Sequence, residues 1–137
     1  MAEHLHHLHL FTEDIDAAIA WWCGMLGGQV IYDGDFGGAR NVFMRVGAGW
    51  LHLYDQQPRD HGRGALYHIG IRSDDLAALE QRLRATGVEF RSSIRDFGAW
   101  KYIMCSAPDG VPLELFEVDT NQLDGGAAEY FGDMPAA

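Results

Sequence analysis

The feature that most limits what this chain can fold into is an internal repeat of 61 residues. Leu5-His6-His7-Leu8-His9-Leu10-Phe11-Thr12-Glu13-Asp14 lies over Leu66-Tyr67-His68-Ile69-Gly70-Ile71-Arg72-Ser73-Asp74-Asp75, so that His7 falls on His68 and Asp14 on Asp75. In both copies a strand-like run breaks at an Asp into an apolar helix. Each copy ends, 45 or 46 residues after its histidine, on another side chain able to bind a metal. These are His52 in Trp50-Leu51-His52-Leu53-Tyr54 and Glu114 in Pro112-Leu113-Glu114-Leu115-Phe116.

Periodicity gives the elements of each copy. Alternation over Leu5–Leu10 sets His7 and His9 on one strand face and Leu8 and Leu10 on the other. Asp14 or Thr12 can cap a helix over about 15–26, where Ile15, Ala18, Ile19, Trp22 and Leu26 form one apolar stripe that Gly27 and Gly28 end. Strands follow at Gln29–Tyr32, Asn41–Val46 and Trp50–Tyr54, with a glycine-rich turn over Asp33–Gly38. The second copy reads as a strand at Tyr67–Ile71 and a helix at Asp75–Ala85 with Leu76, Leu79 and Leu83 on one side. Gly87 is then a left-handed stop. Three strands complete it at Val88–Ser92, Trp100–Cys105 and Val111–Val118, with Pro108-Asp109-Gly110 as the last turn. The predicted fold class is therefore α+β: two tandem βαβββ modules forming curved mixed sheets around a metal-binding cavity. The modules occupy residues 1–55 and 65–120, joined by a linker at 56–64 that is rich in charge, Pro and Gly. A tail over 121–137 reads as a loosely held extension that Tyr130 and Phe131 could anchor.

Composition narrows the function. A chain of 137 residues with 47% hydrophobic and 22% charged residues can bury one sizeable core. Its longest apolar run is far below the roughly 20 residues that span a bilayer, and Met1-Ala2-Glu3-His4 lacks the start of a signal peptide, so the expected setting is cytoplasmic, with no membrane partner. A formal net charge of −10, with ten dispersed Lys and Arg, argues against nucleic acid and for a small neutral or metal-chelating substrate. Cys23 and Cys105 are too few for a disulfide framework and read as reduced core thiols.

The same alternation puts His7, His9, Trp50, His52, Tyr54, His68, Gly70, Pro112, Glu114 and Phe116 on the inner faces of the two sheets, if the intervening Leu and Ile face the helices. Imidazole and carboxylate suit one divalent ion (Zn, Fe, Mn, Ni or Co), and four such groups leave two positions open on an octahedral ion. A lone strand histidine is by itself an ordinary surface or core residue; it is the recurrence at His68 and Glu114 that points to a metal. His4 and His6 read as surface or helix-side residues, and His61 as part of the solvated linker. His9 is close enough to a substrate on the metal for acid-base work, or it lines the pocket. Trp50, Tyr54, Trp100, Tyr102, Met104 and Phe116 supply pocket walls or plain core. Arg95 and Lys101 could hold an anionic group, although solvent is their default setting.

These motifs resemble the vicinal oxygen chelate superfamily, which contains glyoxalase I, methylmalonyl-CoA epimerase, fosfomycin- and bleomycin-resistance proteins and extradiol dioxygenases. The resemblance covers about residues 5–118. It rests on His7 and His68, on the Asp-led helix ending in Leu26-Gly27-Gly28, and on Ala107-Pro108-Asp109-Gly110-Val111-Pro112-Leu113-Glu114-Leu115. That last run is similar to the family's Asp-Pro-Asp-Gly turn before its Glu ligand, with Ala107 departing at the first position.

The resemblance implies metal ligands at His7, His52, His68 and Glu114; Glu114 is then a catalytic group, and His9, by its place two residues beyond His7, is the other catalytic candidate. His52 stands where isomerases more often carry Glu or Gln. Lyase or isomerase chemistry ranks first. A ring-cleaving Fe(II) dioxygenase using His7, His68 and Glu114 ranks second, because no His lies near Trp100–Cys105. A metal-free drug-binding protein is third, and fosfomycin-type transfer ranks low because no Arg follows Glu114. The resemblance also implies a homodimer in which His7 and His52 of one chain face His68 and Glu114 of the other.

Overall fold

A computed structural model of the protein describes residues 6–36, 38–58, 67–132 and 134. His4, His61 and most of the 56–64 linker lie outside them. Two compact units are present, one built from the described residues of Met1–Arg63 with Pro108–Gly110, the other from those of Gly64–Ala107 and Val111–Ala136.

The first unit runs β1 (His7–Thr12), α1 (Ile15–Leu26), β2 (Gln29–Phe36), β3 (Ala39–Val46) and β4 (Gly49–Asp55). Its four-stranded sheet has the order β1-β4-β3-β2, parallel between β1 and β4 and antiparallel elsewhere. Asp14 caps α1, accepting from Ala17 N–H at 3.0 Å. Gly27, at φ 67°, turns the chain so that Gly28 N–H reaches the Trp22 carbonyl at 2.9 Å. The core is formed by Ile15, Ala18 and Trp22 of α1 with Val42, Met44, Leu51 and Leu53 of the sheet, all buried. Removing such a side chain, as in Leu53→Ala, costs roughly 2–5 kcal/mol. The expected turn at Asp33–Gly38 is mostly strand: β2 continues to Phe36 and pairs with Val42, Asn41 and Arg40. Turn-type residues extend there because Arg40 grips Asp33 with two hydrogen bonds, 2.9 and 2.8 Å, and reaches Asp16 on α1 at 2.8 Å.

The second unit contains β5 (Ile69–Arg72), α2 (Leu76–Ala85), β6 (Arg95–Asp96), β7 (Trp100–Ala107) and β8 (Val111–Val118). The strand order β5-β8-β7-β6, again with a parallel first pair, repeats that of the first sheet. The two mixed four-stranded sheets, each an open sheet, and the two βαβββ motifs make this an α+β protein. Asp75 caps α2 through Ala78 N–H at 3.0 Å, and Glu117 takes the next free donor, Leu76 N–H, at 2.9 Å. Leu76, Leu79 and Leu83 pack with Ile103, Cys105, Leu113 and Leu115.

Val88–Ser92, expected as a strand, is irregular, and the paired edge shrinks to the two residues of β6. Arg84 explains the departure: its guanidinium donates to the Ser92 carbonyl at 3.3 Å and lies over the Phe90 ring at 4.8 Å, drawing this segment onto α2 instead of along β7. The tail forms a third helix, α3 (Gly125–Phe131). Arg72 fastens its end by donating to the carbonyls of Phe131 and Gly132 at 2.6 and 3.0 Å, with the Phe131 ring 5.9 Å from Phe116.

Candidate functional site

In the first unit, strand register sets the polar and aromatic side chains in rows on the face away from α1. His7 stands beside Trp50 and Arg45, His9 beside His52 and Phe43, and Phe11 beside Tyr54 and Asn41. The His9 ring stacks on His52 with centroids 4.0 Å apart, His7 lies 6.0 Å from His52, and Phe43 meets His52 edge-on at 4.8 Å. His6 is exposed and stacks on Trp50 at 6.1 Å.

Partial burial holds the His52 imidazole below its ordinary pKa, helped by the neighbouring His9 and His7; burial and then His7 do the same to His9. Both are therefore neutral at pH 7, the form that binds metal or accepts a proton.

His52 has a partner that sequence reasoning missed. Its Nε2 lies 2.6 Å from Oδ1 of Asn41, which is only 1% exposed and donates through Nδ2 to the Ala39 carbonyl at 3.0 Å. With Nδ2 committed, Oδ1 is the acceptor, so the network assigns the proton to His52 Nε2 and the lone pair to Nδ1. The readable signal was a polar Asn41 two residues from Phe43 on the His52 face of β3.

In the second unit His68 and Glu114 come together, His68 Nε2 3.3 Å from Glu114 Oε2. Both line a cavity of about 310 Å³ with Tyr67, Ser92, Arg95, Tyr102, Ile103 and Met104. Gly70 pairs in register with Glu114, so no side chain on β5 crowds the carboxylate. His68 Nδ1 is buried without a hydrogen-bond partner among the described residues.

Of the other expected wall residues, Trp100 is exposed at 45% and packs on Phe97, and Phe116 packs against Phe131. Trp50 and Tyr54 lie on the first sheet. Lys101 faces away from the cavity, 3.9 Å from Glu117, whereas Arg95 lines it.

The donors suit a divalent ion by their chemistry: two imidazoles in one unit, an imidazole and a carboxylate in the other, and a buried imidazole nitrogen with no partner among the described residues. Within neither unit do three or more His, Cys, Asp or Glu among the described residues form a metal cage. Each unit supplies a pair.

Among solved structures, the fosfomycin resistance protein FosX from Listeria monocytogenes matches at 20% identity with a TM-score of 0.73, over 87% of this chain and 96% of that one. A variant of the same protein complexed with Mn(II) and 1S,2S-dihydroxypropylphosphonic acid matches at 18% and 0.69, over 84% and 92%. TnmS3, an antibiotic binding protein from a Streptomyces species, matches at 23% and 0.73, over 87% and 99%. Such likenesses are of fold. A search of curated proteins finds no significant match. Among the described residues no helix is long and apolar enough to cross a membrane. The sequence model of one family matches residues 4–115, which span both repeats and every candidate ligand, and so the chain belongs to the Glyoxalase/Bleomycin resistance protein/Dioxygenase superfamily.

Proposed function

We propose that the chain is a divalent-metal-dependent enzyme whose small-molecule substrate chelates the ion through adjacent oxygens, with lyase or isomerase chemistry. His7, His52, His68 and Glu114 hold the ion in this reading. The observation that carries it is the His68–Glu114 pair, 3.3 Å apart on the lining of a cavity of small-molecule size. A bound Zn, Fe, Mn, Ni or Co ion would supply Lewis-acid stabilisation of charge developing on the substrate oxygens. The second carboxylate oxygen of Glu114 has no partner among the described residues and can accept a proton, and His9, neutral through burial beside His7, can take or return one. Tyr102 and Met104 bound the substrate beside them.

One observation favours a second reading. With Nε2 held by Asn41 at 2.6 Å, His52 can ligate only through Nδ1; where that nitrogen does not reach the ion, the ligands reduce to His7, His68 and Glu114, the two-His-one-carboxylate set of non-haem Fe(II) oxygenases. Metal analysis of purified protein with oxygen uptake on catechols separates the two. A stoichiometric ion without oxygen uptake supports the lyase or isomerase, iron with oxygen uptake supports the dioxygenase, and failure to bind any divalent ion leaves a metal-free drug-binding protein.

The proposal includes a homodimer whose subunits share ligands. Its support is the exposure of Trp50, Phe43 and Trp100, at 38, 38 and 45%, and of the edge strand β2, whose Val30, Ile31 and Tyr32 are also exposed. Mixing inactive His7→Ala with inactive Glu114→Ala protein should restore part of the activity. No recovery in verified mixed dimers would place all four ligands in one chain.

A further inference from the structure

We propose that Arg95 makes the second-unit cavity a receptor for an anionic oxygen group, so that the substrate is a small carboxylate, phosphonate or phosphate rather than a neutral molecule. This rests on the proposed function only in taking the same cavity as the substrate site.

Among the described arginines, Arg91 and Arg95 make no hydrogen bond or ion pair, and of these two only Arg95 lines the cavity. Arg40 is held by Asp16 and Asp33, Arg45 by Gln29, Arg72 by the backbone of the tail, and Arg84 by Glu80 and the Ser92 carbonyl. Arg95 lines the cavity and makes no hydrogen bond or ion pair among the described residues. Its neighbour Asp96 is occupied elsewhere, accepting from Gly98 N–H at 2.8 Å, and the cavity's carboxylate, Glu114, lies against His68. In a chain of net charge −10, a cation left unpaired in a cavity is the exception to its electrostatics. A guanidinium presents a planar fork of donors that matches two oxygens of an oxyanion.

The surroundings complete such a receptor. Register places Arg95 opposite Tyr102, another lining residue whose hydroxyl has no partner among the described residues. Phe97 stacks on Tyr102 with centroids 6.0 Å apart and planes at 5°, and packs on Trp100 at 5.6 Å, which steadies the phenol. Ser92 brings a second hydroxyl on a backbone that Arg84 fixes through its carbonyl. Donors thus gather at the Arg95 end, and the metal-binding pair His68 and Glu114 shares the lining. A volume of about 310 Å³ limits the ligand to a compact molecule.

The test compares three probes of one shape, phenylphosphonate, benzoate and benzamide, by titration calorimetry against the full-length protein and its Arg95→Gln, Arg95→Lys and Glu114→Gln variants. The expected result is a preference of about tenfold or more for at least one anion over benzamide, abolished in Arg95→Gln and partly kept in Arg95→Lys. Phenylphosphonate against benzoate then tells a phosphonate or phosphate site from a carboxylate site. Equal affinity for benzamide and both anions, no binding by the wild type, or an anion preference unchanged in Arg95→Gln would overturn the inference. Circular dichroism verifies that the variants fold, as expected for a change at an exposed position. Glu114→Gln separates this inference from the metal reading: loss of metal with the anion preference intact leaves Arg95 in its role, and a protein that binds no metal can still show that preference.

Discussion

The two copies of the motif share a backbone plan and differ at one edge. In the first, β2 is eight residues long and pairs along β3, leaving His7, His9 and His52 on an aromatic sheet face. In the second, the corresponding edge shrinks to the two residues of β6, and the irregular segment before it brings Ser92 to a cavity that His68 and Glu114 line. The last strand differs as well, His52 resting on a buried Asn41 and Glu114 resting on His68. Duplication thus preserves the helix-to-sheet packing, which is apolar and tolerant of sequence as long as volume and pattern hold. The edge strand and one side chain per copy set the two apart, imidazoles on an open sheet face in one copy and a carboxylate beside an imidazole at a cavity in the other.

The sharpest way to break this contrast is to delete the end-of-strand donor in each copy. Glu114→Ala should lower metal affinity on the order of 100-fold or more, since altering groups that merely support a ligand already costs about 10–100-fold. His52→Ala should cost less, because with Nε2 bound to Asn41 only Nδ1 remains to ligate, whereas Glu114 offers a carboxylate. Equilibrium dialysis of both variants checks the order, and equal losses would show that the two copies contribute alike.

Asn41→Ala strips His52 of its acceptor and opens a gap at a fully buried position, so unfolding free energy should fall by roughly 1–3 kcal/mol in urea titrations. Because Asn41 orients the ring with Nδ1 as its free nitrogen, metal affinity should also fall, by about 10–100-fold, if His52 is a ligand, and an unchanged affinity would support the three-ligand reading.

A smaller effect is expected from Arg84→Ala. Arg84 is partly exposed, so stability should change by about 1 kcal/mol or less. Amide exchange over 88–94 should nevertheless quicken while β2 exchanges as before, because the second edge relies on that side chain and the first on strand pairing.

The smallest effect is one of reactivity alone. Cys105 is buried in the second unit and burial pushes its thiol up to about 11, whereas Cys23 on α1 is only half-buried. Since the thiolate is the reactive form, a disulfide reagent at pH 8 should label Cys23 in the native protein and Cys105 only after denaturation. Native labelling of Cys105 first would show the second sheet opening more readily than the first.

Much of this architecture was legible in the chain itself. The repeat, the caps Asp14 and Asp75 and the spacing of Ile15, Ala18 and Trp22 and of Leu76, Leu79 and Leu83 are local signals. They fixed both helices and, by alternation, the faces carrying His7, His52 and Glu114. What only the tertiary structure decided were side-chain contacts between different elements, from 7 to 59 residues apart, whose energies no periodic pattern encodes. Asp33–Asp35 became strand because Arg40 neutralises Asp33, and Val88–Ser92 lost its strand because Arg84 holds it. The tail became a docked helix because Arg72, 59 residues earlier, binds the Phe131 carbonyl. The same holds for the site. Residue type alone could not separate Arg95 from Lys101; the register of β6 on β7 turns Arg95 into the cavity, while Lys101 on the opposite face lies near Glu117. Nor could it reveal that His52 answers to Asn41, because that bond spans two strands and exists only once β3 and β4 pair in register.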